Sequence, residues 1–363
     1  MLYIILTGCF LVSLAFGWII IPRILLISHK KRLFDLPDQR KIHSSPVPRL
    51  GGLSFFPAIL ISFSAAVGLC MVMQIDINVS TDTVGRFFLI AAGAMILFIA
   101  GAADDLIGLT YQAKFAFQFA AAGLLVLTGE RIGYSMPGIL PPWVDVVATM
   151  LIVVYIINAI NLIDGVDGLA SGLTAISLTV LTVLSLTCGQ YAYAMLALSV
   201  LGPIIPFWFY NVFGSVHRGH KLFMGDTGSL VLGYQLAFLT IHTAHGVDDV
   251  VFRGDLVVMS FSPLIIPLFD VIRVVIRRLR TGHHPFKPDK NHFHHKLLRT
   301  GLGEHHVMAL MLALASLFVL MNYFLSRSID AIWILLADCI IWILLHLYFN
   351  WLIHSRPQPE EKE

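Results

Sequence analysis

The sequence predicts an all-α polytopic membrane protein of about eleven transmembrane helices. Its N-terminus lies outside, its C-terminus in the cytoplasm, and its working site at the cytoplasmic face. Three observations predict this. Of 363 residues, 57% are hydrophobic and only 13% charged, against about a quarter charged in a soluble domain, and the mean hydropathy is +0.82. Apolar runs recur along the whole chain, most near the ~20 residues a helix needs to cross a hydrocarbon core. With the N-terminus outside, 20 of the 24 Lys and Arg fall on the cytoplasmic side, and only Arg86, Arg131, Arg253 and Arg327 fall outside, as the positive-inside bias requires. The composition excludes a disordered chain and argues against a water-soluble globule. A net charge of +2 gives no nucleic-acid signal.

The spans fall at 2–27, 52–74, 86–104, 112–128, 143–161, 168–188, 190–211, 229–245, 250–277, 306–326 and 330–353. No Lys or Arg precedes the first, and it is about twice the length of a signal-peptide core. Its charges follow it, in His29–Arg32, so it reads as an uncleaved span. The stretch Leu36–Gly52 is basic and cytoplasmic, either a juxtamembrane anchor or a phosphate-facing segment. Its Gly51-Gly52 opens the second span and allows close backbone approach. The third span ends at Gly101–Asp105, and Lys114 stands at the start of the fourth.

The fifth span runs into Asn158–Gly168. There Asp164 and Asp167 either share a helix face or cap an Asp-Gly turn. Before the eighth span, Gly225-Asp226-Thr227-Gly228 permits a tight backbone whose N–H groups could face an anion. In the ninth, Asp270 precedes Arg273 by three residues and reads as an intrahelical ion pair. Residues 281–306 form a cytoplasmic histidine-rich loop, and 357–363 a polar tail. Cys9, Cys70, Cys188 and Cys339 lie in or beside apolar runs without metal spacing, and read as small hydrophobes. No boundary divides the chain, so 1–363 reads as a single integral membrane domain.

The acidic positions gather at one face, where a cation or partner charge must offset them. Asn and Asp supply hard oxygens that suit Mg²⁺ or Mn²⁺, and a diphosphate ligand would share that ion. The histidine loop reads as an anion clamp of His, Lys and Arg donors. A solvated basic loop beside anionic lipid and a zinc site on His292-x-His294-His295 are the alternatives. Intramembrane acids also mark transporters, but those should be spread near mid-depth. A non-enzymatic scaffold would leave the phosphate-suited motifs unexplained.

Five motifs in order carry a family resemblance over about residues 35–300. They are Pro48–Gly52, Asp104-Asp105 with Lys114, Asn161–Gly168, Phe223–Asp226, and His292–His295. The chain resembles the polyprenyl-phosphate N-acetylhexosamine-1-phosphate transferases (glycosyltransferase family 4), nearest to the bacterial undecaprenyl-phosphate N-acetylglucosamine type. The resemblance implies transfer of N-acetylhexosamine-1-phosphate from a UDP-sugar to undecaprenyl phosphate with release of UMP. This is the first membrane step of a cell-surface polysaccharide such as O-antigen, in the bacterial cytoplasmic membrane and with Mg²⁺. It implies Asn161 and Asp226 as metal ligands. Phe223, Asp167 and the Gly165 backbone would hold uracil. His292, His294, His295 and Lys290 would meet the sugar and diphosphate. Asp104, Asp105, Lys114 and Arg49 would line the lipid-phosphate region, with Asp104, Asp105, Lys114, Asp164 and Asp226 catalytic. A homodimer is expected only at the level of the family. Phe293 stands where N-acetylglucosamine-type members commonly carry Ile. The phospho-N-acetylmuramoyl-pentapeptide transferase of peptidoglycan synthesis is the alternative within the family, and its Pro-Thr-Met-Gly-Gly run and three consecutive histidines are absent here.

A phosphomonoester's second pKa near ~6 leaves the lipid phosphate largely dianionic at neutral pH. Direct displacement, with Asp104 or Asp105 positioning or deprotonating that phosphate, is therefore the expected route. A covalent aspartyl-phosphate is the alternative.

Overall fold

The computed structural model describes residues 1–34, 46–135, 141–245, 254–282 and 291–355. Among them every regular element is helical and no strand is present. In chain order they are α1 (Leu2–Lys31), a 3-10 turn Gly51–Ser54 leading into α2 (Phe55–Val72), α3 (Thr81–Ile107), α4 (Tyr111–Leu127), α5 (Pro142–Ile163), α6 (Leu169–Thr187), α7 (Tyr191–Phe213) and α8 (Gly225–His245). Then follow α9 (Gly254–Phe261), a 3-10 turn Ser262–Leu264, α10 (Ile265–Arg280), α11 (Phe293–Arg299), α12 (Glu304–Leu325) and α13 (Ala331–His354).

Nine segments among the described residues are long and apolar enough to cross a membrane, with Asp255–Arg280 counting as one. Two of the eleven expected spans fall outside that set. α4 has only 17 residues. α8 has 21 but carries Asp226, Thr227, Ser229, Gln235, Thr240, His242 and Thr243. It need not be apolar, because its residues from Gly225 to Ala244 are all buried in protein and meet no lipid.

Three expectations are corrected. The ninth span is interrupted at Ser262–Leu264, where Pro263 has no N–H for the helical ladder. The histidine-rich loop contains the helix α11. The third span runs two residues past Asp105, to Ile107, so that Asp104 and Asp105 stand in its last turns.

α8 is the axis of the molecule, flanked by α3 and α5, with α6 and α9 beyond. Small residues permit this: a side chain at Gly233 would strike the Ile157 Cα, 2.7 Å away, and one at Gly101 the Thr227 Cα, 2.5 Å away. α1 lies along α7 by the same device. Gly17 seats against Pro203 and Pro206, and Ser13 Oγ donates to the Ser199 carbonyl at 2.5 Å. At the end of α8 remote from Asp226, Glu130 accepts from His242 Nδ1 at 2.8 Å and lies 3.5 Å from Arg86. Residues such as Phe88, Trp143, Trp333 and Leu347 stand exposed, as lipid-facing side chains do. Cys9 and Cys70 are buried and no disulfide forms among the described residues.

Candidate functional site

The site is built on the start of α8. Gly225 adopts φ +71° with the Arg49 carbonyl and the Asp105 carboxylate packed against it, so no side chain fits. The Asp105 side chain is fully buried. It accepts the backbone N–H groups of Asp226 (2.8 Å) and Thr227 (2.9 Å) and the Thr227 hydroxyl (2.6 Å). The N–H groups expected to face an anion therefore face Asp105, a cap supplied by another helix. Alongside, Pro48–Gly52 pairs with the residues before α8. Phe223 N–H donates to the Pro48 carbonyl, and the Gly51 and Gly52 N–H groups donate to the Phe223 and Met224 carbonyls at 2.8–2.9 Å. The close approach expected of Gly51-Gly52 is present, because a Cβ on Gly52 would run into the Gly228 backbone.

Lys114 Nζ bridges Asp104 and Asp226 at 2.7 Å each, and Arg49 reaches Asp226 at 3.5 Å. Asp104 also accepts the Leu109 N–H at 2.7 Å, closing the end of α3. Asn161 Nδ2 donates to Ser229 Oγ at 2.8 Å, one turn along α8 from Asp226, which leaves its carbonyl oxygen available as a ligand atom. Asn161 is thus held beside α8, on the turn next to Asp226.

Asp164 and Asp167 lie in the turn between α5 and α6 rather than on a shared helix face. Asp167 pairs with Lys221 at 2.5 Å. Asp164 keeps solvent contact at this turn. Enclosing protein, then the charges of Asp167, Asp226 and Asp105, push its carboxyl up to about 7, with Arg49 opposing. Phe223 is half-buried.

The histidine segment closes the hollow. His292 Nδ1 donates to Asp270 at 2.8 Å, the Phe293 N–H donates to the same carboxylate at 2.9 Å, and Arg273 meets it at 2.9 Å. The expected Asp270–Arg273 pair is present, and it also anchors α11. His294 is 1% exposed, with both ring nitrogens buried and without a hydrogen-bond partner among the described residues. Its Nε2 sits 2.5 Å from where a Cβ on Gly165 would lie, so it abuts the Asp164–Asp167 turn. Burial, then neighbouring His295, hold its ring down at about 3, neutral at any physiological pH. The His295 ring lies 4.2 Å from that of His294, tilted by 36°. Lys290 lies outside the described residues.

Asp104, Asp105 and Asp226 can each place a carboxylate oxygen within 4.8 Å of the others. Asp105 is taken up by three donors, whereas Asp226 and Asp104 meet the side chain of Lys114, whose ammonium a cation would displace. Among the described residues at this end of α8, five carboxylates (Asp104, Asp105, Asp164, Asp167, Asp226) meet three cations (Arg49, Lys114, Lys221). That acidic surplus is what a divalent cation would offset. All-oxygen donors suit Mg²⁺ or Mn²⁺.

Comparison with known proteins gives the family. The profile of glycosyl transferase family 4 matches residues 87–244. A protein of Bacillus subtilis strain 168, named a probable undecaprenyl-phosphate N-acetylglucosaminyl 1-phosphate transferase, is 34% identical over 94% of this chain and 87% of its own length. The chain belongs to glycosyl transferase family 4. Two further members, the undecaprenyl-phosphate alpha-N-acetylglucosaminyl 1-phosphate transferases of Yersinia pestis and Escherichia coli K12, are 29% and 28% identical over 93% and 82% of this chain and 88% and 78% of their own lengths.

Seen as a family 4 protein, the chain uses residues the motifs do not single out. Asn211, on α7, accepts the Gly168 N–H at 2.6 Å, donates to the Leu222 carbonyl at 2.8 Å and reaches Asp167 at 3.3 Å. It ties the Asp167 turn to the strip that carries Phe223. Lys221 compensates Asp167. An asparagine near the end of an apolar span was the only available signal for the first. For Lys221 there was none, since a lysine after a span reads equally well as positive-inside charge.

Proposed function

We propose that this family 4 protein transfers N-acetylglucosamine-1-phosphate from UDP-N-acetylglucosamine to undecaprenyl phosphate, releasing UMP, at the cytoplasmic face of a bacterial inner membrane. The observation that carries the proposal is convergence. Segments around Pro48–Gly52, Asp104–Lys114, Asn161–Gly168, Phe223–Asp226 and His292–His295, distant in sequence, line one hollow at one end of α8. Intramembrane acids at that one depth fit a transferase better than a transporter. The names of the relatives favour N-acetylglucosamine over the muramoyl-pentapeptide donor. Eleven spans, with the N-terminus outside and the hollow inside, complete the proposed topology.

In this reading, Asp226 and Asn161 would hold Mg²⁺, with Mn²⁺ as a substitute, and the ion would supply positive charge to offset the donor's phosphates. The uracil lies on Phe223, within reach of Asp167 and the Gly165 backbone. His292, His294, His295 and Lys290 face the sugar and diphosphate. The chemical problem is bringing two anions together, and Arg49 and Lys114 oppose that repulsion where the lipid phosphate arrives. Asp104, paired to Lys114, orients that phosphate or takes its remaining proton. An oxygen of the lipid phosphate forms a bond to the phosphorus that bears the sugar. The bond from that phosphorus to the bridging oxygen breaks, and the electron pair leaves with UMP, whose growing charge Lys114 stabilises.

The test is mass spectrometry of the lipid product after the purified protein is offered undecaprenyl phosphate and a panel of UDP-sugars with Mg²⁺. A diphospho-N-acetylglucosamine lipid with equimolar UMP is expected. No UMP from any UDP-sugar refutes the reading. Inversion at phosphorus with a chiral thiophosphate donor is expected for direct displacement, and retention indicates the covalent route.

A further inference from the structure

α11 has seven residues, too few to be stable alone, yet it carries His294 and His295. Its aim must therefore be set by what grips it. Asp270 holds its first turn. The second grip comes from the last described helix. Lys296 does not extend toward the hollow; its Nζ turns to α13 and lies 2.9 Å from His346 Nδ1. His346 is 7% exposed. Phe293 is fully buried, with ring centroids 5.0 Å from Trp342, 4.7 Å from His346 and 5.7 Å from Phe349.

Phe293, Lys296 and Leu297 are spaced i, i+3, i+4, so they share one face of α11. That face is clamped, while His294 is turned to Gly165. Half-burial of Lys296, and the nearby Arg273, Arg277 and Arg299, hold its ammonium down at about 8, a cost that the neutral acceptor on His346 offsets. Because the ammonium donates, Nδ1 of His346 is the acceptor and its proton resides on Nε2.

We propose that His346 is a positioning residue, fixing the rotation of α11 through Lys296 and so aiming His294 at the Asp164–Asp167 turn. The role rests on the transferase reading above. Rotating a helix by ~20° sweeps a side-chain tip ~6 Å from its axis through about 2 Å, and misplacement of that order is costly at a reacting centre.

The experiment measures UMP release by the full chain in detergent, varying UDP-N-acetylglucosamine and undecaprenyl phosphate separately. His346→Leu is expected to raise the KM for the nucleotide sugar about tenfold, a binding loss of ~1.4 kcal/mol, leaving the KM for the lipid unchanged. Lys296→Met should reproduce that defect, and the double variant should be no worse than either single one. His346→Asn, whose amide oxygen takes the place of Nδ1, should restore the KM to within about twofold. Leu345→Ala, on the same helix, serves as the stability control. The proposal is overturned if the two single effects add, if Asn performs no better than Leu, or if the KM does not move. It is also overturned if Leu345→Ala with a matched melting loss raises the KM equally. A wild-type chain that releases no UMP sinks the transferase reading and this proposal together. Wild-type turnover with unaltered His346→Leu kinetics sinks this proposal alone.

Discussion

Asp104 and Asp105 are chemically identical neighbours with different surroundings. Asp105 accepts three hydrogen bonds at the start of α8, whereas Asp104 pairs with the ammonium of Lys114. The first is read as a cap and the second as a working group. Asp105→Ala should therefore destabilise the protein by ~2 kcal/mol or more, since losing a cap typically costs ~1 kcal/mol and here two backbone donors are left buried. Melting in detergent checks this; an unchanged melting temperature would remove Asp105 from that role. Lys114→Ala should lower kcat by about 10²–10³-fold in chain that still melts cooperatively, the usual scale for losing one preorganised charge at a developing anion. Phe223→Ala should chiefly raise the KM for the nucleotide sugar, by ~1–3 kcal/mol of stacking.

Asp164 gives a pH-dependent prediction at the same scale. Its folded carboxyl is raised from 3.8 to about 7, so between those values the folded chain keeps a proton that the unfolded chain has released. Stability then falls as pH rises through that window. Metal-free Asp164→Asn should melt above the wild type at pH 8 and level with it at pH 4, and Mg²⁺ should narrow the pH 8 gap. A gap that persists at pH 4 contradicts the assignment.

At the scale of elements, α8 shows how glycines and carboxylates cooperate. Gly52 lets the Pro48–Gly52 strip lie directly on the Gly228 backbone, and Asp105 caps the helix that results. Gly52→Ala should separate them at a cost of ~1–3 kcal/mol, as overpacking does, and lower activity with stability; wild-type melting would contradict the close approach. Gly51-Gly52 was legible in the sequence because the absence of a side chain has few other uses at the start of an apolar span. The Asp270–Arg273 pair was legible from its three-residue spacing. α11 was not, since seven residues with histidines at two positions offer no apolar period to detect. Its helicity comes from Asp270 at one end and α13 along one face.

At the scale of the molecule, α8 carries seven polar or ionisable residues between Asp226 and Thr243, yet it sits at the centre. Its ends are fixed by different chemistry, Asp105 at one and the Glu130–His242 pair with Arg86 at the other. The proposed topology places Ser215 in the cytoplasm and Ser326 outside. In a chain lacking its four native cysteines, a cysteine at Ser215 should react with an impermeant maleimide only in inverted vesicles, and one at Ser326 only in intact cells. The opposite pattern reverses the orientation.

The sequence by itself determined that the chain is helical and membrane-embedded, and which five segments carry unusual chemistry. Span length, hydropathy and charge asymmetry are local quantities set by the solvent on either side of a bilayer. Only the tertiary structure decided what each polar residue does there. Asp105 faces backbone amides, Lys114 joins two carboxylates, Asn211 binds a turn on another helix and His346 grips Lys296. Each role depends on a partner between 10 and 122 positions away, and a buried polar group is defined by the partner that satisfies it, which local pattern does not encode.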